Sequence, residues 1–170
     1  MLKKINCIVY ASDFGPNMRK GFKMAVGLAQ TNQARLIFLH VIEPPGRTAE
    51  MILNSYVSDD QLDVMRSKSV AKICEVINGR IDKFAAEELS SDYGLSQGRP
   101  ECRIEEGKPV DRILAVAKDV NADLIVMGSR THSAFSQIVL GSTAHQVLFR
   151  SERPVLIVPM TDIESDGGDG

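Results

Sequence analysis

Apolar residues along this chain follow two alternating rhythms. Residues 5–10 (INCIVY) form an unbroken β-rich run, and the turn formers at 11–16 (ASDFGP) end it. Met18, Phe22, Ala25 and Ala29 then recur at steps of four, three and four, which predicts a helix from about residue 17 despite Gly21 and Gly27. Residues 34–41 (ARLIFLHV) are a second continuous run, stopped by Glu43-Pro44-Pro45-Gly46. From 43 to 60 Pro, Gly, Ser and Asp recur without period, predicting a long loop with a helical turn around residues 49–53. Val70, Ile73, Ile77, Ile81 and Phe84 mark one face of a long helix from about residue 60 to about residue 90.

After a polar break at 90–100, residues 102–105 read as a short strand and Gly107-Lys108-Pro109 as a turn. Val110, Ile113, Leu114 and Ala117 then give a helix with Pro109 in its first turn, where proline is tolerated. Residues 124–127 are a fourth strand. A last helix, with Ala144, Val147 and Leu148 at helical spacing, begins near Ser136 or Gly141 and runs to Arg150, and residues 154–159 (PVLIVP) close the series.

Five apolar strands alternating with four amphipathic helices imply right-handed crossovers and a sheet covered on both faces. The expected fold is a doubly wound α/β domain over residues 1–160, a five-stranded parallel sheet in the order 3-2-1-4-5. The acidic tail 161–170, with Asp162, Glu164, Asp166 and Asp169 among Ser and Gly, is expected to be disordered. Ligands of such sheets bind beyond the carboxyl ends of the strands, where strand order reverses. The ends of the first, second and fourth strands, near Ser12-Asp13, Val41 and Gly128, are therefore the candidate site.

Composition narrows the partners. A net charge of -2 over 170 residues provides no positive field to draw the chain to nucleic acid or a membrane surface. No run of eighteen apolar residues occurs, and residues 1–5 lead into the first strand without a cleavable hydrophobic segment, so a cytoplasmic location is expected. Cys7, Cys74 and Cys102 lie far apart in sequence, in apolar contexts and without CxxC spacing, and are expected to be buried free thiols. No histidine or cysteine cluster has metal-ligand spacing, so no metal is expected from protein ligands alone.

The segment from Met127 to His145 (MGSRTHSAFSQIVLGSTAH) carries the clearest chemistry. Gly128 ends a strand, and Gly141 opens a helix whose first turn holds Ser142 and Thr143. Glycines let backbone amides approach a bound group, and a helix N-terminus offers unsatisfied N–H donors and partial positive charge, which suits a phosphate. Ser142 and Thr143 also fit as simple helix caps, and Asp13 as a plain turn residue. Arg130 and His132 lie where they can neutralise phosphate charge or sit in solvent. His40 and His145 read as structural or surface residues.

Gly128, two residues, Thr131, nine residues and Gly141-Ser142 resemble the nucleotide loop of the universal stress protein family, with Thr131 in place of its middle glycine. The resemblance extends to IVYASDF at 8–14, His40-Val41 and the closing PVLIV, and covers about residues 4–160. It implies that Gly128, Ser142 and Thr143 approach ribose and phosphates, that Asp13 and Val41 hold adenosine, and that Ala11, Ser12, Met127, Arg130, Thr131 and Gly141 complete the nucleotide site. The implied ligand is ATP or AMP, with or without Mg. It further implies a homodimer through the edge strand Pro154, Val155, Leu156, Ile157 and Val158, acting as a stress-response binding module on an unidentified protein partner.

Two alternatives stay open. Thr131 can exclude triphosphate and leave a nucleotide-free dimeric interaction protein, or the site can hydrolyse ATP slowly. No Walker A lysine, no GxGxxG and no Ser-Gly-Gly-x-Asp-Ser loop occurs, and no general base is placed by the sequence, so no catalytic residue is assigned.

Overall fold

The computed structural model describes residues 4–13, 15, 18–89, 93–131 and 138–160. In chain order the elements are β1 (Cys7–Ala11), α1 (Met18–Asn32), β2 (Arg35–Ile42), α2 (Arg47–Tyr56), α3 (Asp59–Glu88), β3 (Glu101–Glu106), α4 (Pro109–Asp119), β4 (Leu124–Gly128), β5 (Arg130–Thr131), β6 (Ile138–Val139), α5 (Ser142–Arg150) and β7 (Val155–Val158). Five strands form one parallel sheet in the order β3-β2-β1-β4-β7, the expected 3-2-1-4-5 arrangement. β5 and β6 pair antiparallel as a separate small ribbon.

Strand alternation sorts the core into two layers. Ile8, Tyr10, Leu36, Phe38 and Val126 face α1 and α3 and pack with Phe22, Ile77, Ile81 and Phe84. Their neighbours Val9, Ile37, Leu39, Ile125 and Met127 face α4 and α5, where they meet Ile113, Val116, Ala144 and Val147. The first layer is aromatic: Tyr10, Phe22, Phe38 and Phe84 sit with ring centroids 4.9 to 5.9 Å apart in edge and tilted pairs. This layer also explains a glycine inside a helix. A Cβ on Gly21 would lie 2.8 Å from the Tyr10 hydroxyl oxygen, which donates its proton to the carbonyl of Met18 at 2.8 Å.

Three expectations need correction. The long loop contains α2, so five helices rather than four occur among the described residues. α2 has a proper apolar stripe at Ala49, Ile52, Leu53 and Tyr56, but none of its residues is buried, and Tyr56 is 84% exposed. It ends at Val57, and α3 starts on a capping box in which Ser58 Oγ accepts from Gln61 N while Gln61 Oε1 accepts from Ser58 N. The last helix does not begin near Ser136, because Ile138 and Val139 are strand and Gly141 is the N-cap. Finally, only Cys7 is buried: Cys74 and Cys102 are half-buried and adjacent. Predictions about Phe14, Pro16, Asn17 and His132, the polar break at 90–92, and the tail 161–170 fall outside the described residues.

Candidate functional site

The order β2-β1-β4 makes the carboxyl ends of β1 and β4 the point where the connections diverge to opposite sides of the sheet. A cleft of about 260 Å³ opens there. Of the residues expected at the site, Ala11, Ser12, Asp13, Val41, Met127, Gly128, Gly141 and Thr143 line it. Ser142 is exposed at the start of α5 and is not part of the wall. Arg130 and Thr131 follow β4 in β5, and their side chains lie outside the described residues.

The β1 end is held by backbone. Ser12 N donates to the Leu39 carbonyl at 3.0 Å, extending the β1–β2 ladder past the last strand residue. His40 Nδ1 lies 2.9 Å from the Ser12 carbonyl, and a carbonyl only accepts, so Nδ1 carries the proton. This structural tie matches the expected role for His40, yet the same ring lines the cleft. Asp13 is exposed, and its Oδ1 accepts from Gly15 N at 3.0 Å. The turn reading of Asp13 is thus realised at one oxygen, without burying the carboxylate.

The opposite wall is the start of α5. Its first helical bond runs from His145 N to the Gly141 carbonyl at 2.9 Å, so the N–H groups of Ser142, Thr143 and Ala144 have no acceptor within the helix. The N-cap is a glycine and contributes no side-chain acceptor either. Ser142 and Thr143 are therefore first-turn residues rather than caps, and with Ala144 they put three backbone donors and the positive end of the helix dipole beside the cleft.

Gly128 answers to space rather than to an unusual backbone angle. A Cβ there would fall 2.7 Å from Met160 Cε and 2.9 Å from its Cγ, so the Met160 side chain rests on the glycine and enters the cleft. Met160 is fixed from behind: its N–H donates to Ser129 Oγ at 3.2 Å, and Ser129 N donates to the Val158 carbonyl at 2.9 Å. Glu43, Ser129, Met160 and Tyr10 are lining residues that the sequence did not single out. Each arrives from the residue just inside or beyond a strand end, a position knowable only with strand order in hand. Burial pushes the Tyr10 hydroxyl up to about 12; the Ser12 side chain opposes this and the Asp13 charge adds to it, so the phenol stays neutral at physiological pH.

The described lining contains Asp13 and Glu43 but no lysine or arginine. Among the described residues no group of His, Cys, Asp or Glu could hold a metal ion. The cleft can offer acceptors on the β1 and β2 side and backbone donors on the α5 side, which is binding chemistry.

The universal stress protein family profile matches residues 4–159. The chain belongs to that family. Universal stress protein YxiE of Bacillus subtilis (strain 168) is 32% identical over 158 residues, covering 90% of this chain and 98% of that protein. Among solved structures, universal stress protein UspA from Lactobacillus plantarum aligns with a TM-score of 0.66 at 20% identity, over 92% of this chain and 99% of its own. A universal stress protein in complex with cAMP aligns at 0.60 and 23% identity, over 94% and 100%. At those identities the solved neighbours establish the family's fold for this chain, and the ligand belongs to the neighbour. No helix among the described residues is long and apolar enough to cross a membrane.

Proposed function

We propose that this member of the universal stress protein family is an adenine-nucleotide binding module that takes ATP or AMP, with or without Mg, in the cleft between β1 and β4. The observation that carries this reading is the pairing of three amides without helical acceptors at the start of α5 with an exposed carboxylate, Asp13, across the same cleft. Anionic phosphate fits the first and the amino or ribose hydroxyl groups of adenosine fit the second. Main-chain groups of Val41 address the base edge, Gly128, Ser142 and Thr143 approach ribose and phosphates, and Ala11, Ser12, Met127, Arg130, Thr131 and Gly141 complete the shell. The cAMP carried by a neighbour of this fold supports an adenine ligand.

Phosphate charge is met by the helix amides at the start of α5 and, in this reading, by Arg130. Among the described lining residues no nucleophile and base pair is assembled, and slow hydrolysis of ATP is the most chemistry this reading includes. The domain is taken as 1–160 with an acidic tail at 161–170, working in the cytoplasm as a homodimer that presents its ligand state to a protein partner. β7 pairs with β4 on one side, and its half-buried Val155, Leu156 and Ile157 fit a strand covered by a second copy.

Mass analysis of ligand released from the purified protein, followed by calorimetry with ATP and AMP, tests the reading. Adenine nucleotide retained or rebound at one site per chain is expected, and no binding of either would remove the proposal. One feature favours the nucleotide-free alternative: Met160 already occupies the space over Gly128. Under that reading Met160→Ala creates nucleotide binding that the native chain lacks.

A further inference from the structure

Far from the cleft, α3 and β3 bring two thiols together. Cys74 Sγ lies 3.3 Å from Cys102 Sγ, across 28 residues of chain, and both side chains keep partial access to solvent. The polar neighbours are ordered. Arg99 Nη2 donates to Asn78 Oδ1 at 3.2 Å and to Asp82 Oδ1 at 2.9 Å. With its oxygen gripped by the guanidinium, the Asn78 amide must turn its nitrogen to the cysteines, and Nδ2 donates to Cys74 Sγ at 3.5 Å. Cys74 Sγ thus has one amide donor and the second thiol within reach.

We propose that Cys74 and Cys102 are a modification site, a dithiol that a hydroperoxide converts to an intrachain disulfide, with Cys74 as attacking sulfur and Cys102 as resolving sulfur. The Cys74 thiolate pair attacks one peroxide oxygen, the O–O bond breaks, and the second oxygen leaves as an alcohol or water after taking a proton. Cys74 becomes a sulfenic acid. Cys102 sulfur then attacks Cys74 Sγ, the S–O bond breaks, and hydroxide leaves as water with the Cys102 proton. The two thiols lose two electrons, and the peroxide gains them. The division of roles follows from surroundings: Cys74 Sγ alone receives the Asn78 amide, while burial, and then the hydrogen bond with Cys74, push the Cys102 thiol up.

Position gives the bond a consequence. Ile77, Ile81 and Phe84 are buried and Ile73 packs beside them, whereas Val64 and Met65 are 53% exposed. Cys74 therefore stands where the helix leaves the body of the protein, and the disulfide staples that point to the sheet. In a reducing compartment such a bond forms under oxidant and reverses afterwards.

The test uses the full chain, reduced, treated with hydrogen peroxide, and then analysed under denaturing, non-reducing conditions. Titratable thiols should fall from three to one per chain, the mass should fall by two hydrogens, and mapping should join the Cys74 peptide to the Cys102 peptide. Tm should rise by roughly 5 to 10 °C and return on reduction. In Cys102→Ser the sulfenic acid should be trapped on Cys74 by dimedone, whereas Cys74→Ser should leave Cys102 unlabelled. Three thiols surviving oxidant in the folded wild type, separate overoxidation of the two sulfurs, or links only between chains would each overturn the proposal. The wild-type mapping stands even where a variant fails to fold, and none of these readouts depends on nucleotide binding.

Discussion

Asp123 and Asp13 stand at opposite ends of the same sheet, and their carboxylates meet different surroundings. At the amino ends of β1 and β4, Asp123 Oδ2 accepts from Asn6 N at 2.9 Å and Cys7 N at 3.2 Å, tying the start of one strand to the start of its neighbour. At the carboxyl end, Asp13 accepts one turn amide and remains exposed beside a cleft. The first acid closes the hydrogen bonding of its end, and the second leaves its end open. In a parallel sheet this asymmetry recurs for the helices: the N-terminus of α5 points its amides at the carboxyl end, where a ligand rather than the protein can satisfy them.

The comparison breaks most visibly at the closed end. Asp123→Ala should strip two backbone donors of a charged acceptor and destabilise the fold by about 3 kcal/mol, lowering Tm by roughly 6 to 12 °C. Nucleotide affinity of the folded fraction should be unchanged. Denaturant melts beside calorimetry check both, and a variant with native stability would show that the Asp123 carboxylate is dispensable there.

Next in size is an effect of pH beneath the open end. Tyr10 has its hydroxyl raised from 10 to about 12, so the folded state holds the proton more firmly than the unfolded chain. Its contribution is complete below pH 10 and is lost as pH rises through 12, about 2 to 3 kcal/mol for two units. Tyr93, also raised to about 12, adds in the same direction. Stability measured from pH 9 to 12 should fall with rising pH, and Tyr10→Phe should flatten part of that slope while losing the bond to the Met18 carbonyl.

How much of this contrast the sequence revealed depends on burial. β1, β2, β4 and β7 were legible because continuous apolar runs mark strands covered on both faces, and α3 because Ile77, Ile81 and Phe84 keep one face in the core. α2 was not read as a helix although Ala49, Ile52, Leu53 and Tyr56 carry the right period. Its ten residues follow Pro44-Pro45-Gly46 and pack nothing away from water, so loop signals outweighed a short stripe. In the site, Asp13, Gly128 and Gly141 were legible as strand and helix ends. Glu43 and Met160 were not, since each lines the cleft only because β2 and β7 end around β1 and β4. The Cys74 and Cys102 pair escaped for the same reason: proximity across a sheet edge leaves no spacing signal.

At the open end, Asp13→Ala should leave stability nearly native, because its carboxylate is exposed and, among the described residues, is held by the Gly15 bond. Adenine nucleotide affinity should fall roughly tenfold to a hundredfold, the size of one charge-assisted hydrogen bond. Isothermal titration with ATP decides this, and unchanged affinity in a folded variant would remove the assigned adenosine contact. Together with Asp123→Ala it would form a double dissociation, with stability expected to follow one acid and binding the other.

The smallest and sharpest effect concerns Thr131, which the sequence resemblance leads one to expect in place of the middle glycine of the family's nucleotide loop. A glycine there would matter most if the backbone needed positive φ, a conformation that strains a β-branched residue by about 1 to 3 kcal/mol. Thr131 instead belongs to β5 and pairs with Ile138 in an antiparallel ribbon, an extended setting that β-branched residues favour. Threonine is therefore compatible with the backbone of β5, and in the proposed nucleotide site its hydroxyl would donate to a phosphate oxygen in place of the closer amide approach that glycine permits. Thr131→Val keeps the shape and removes the hydroxyl, so it should lower ATP affinity by roughly fivefold, about 1 kcal/mol. AMP affinity should change less, because its single phosphate reaches fewer loop donors. Thr131→Gly should change ATP affinity little, the lost hydroxyl being offset by closer backbone approach. Calorimetry on both variants with both nucleotides separates the cases. A large gain in ATP affinity with glycine would mean that threonine obstructs the open end of the sheet, and that the native chain works without nucleotide.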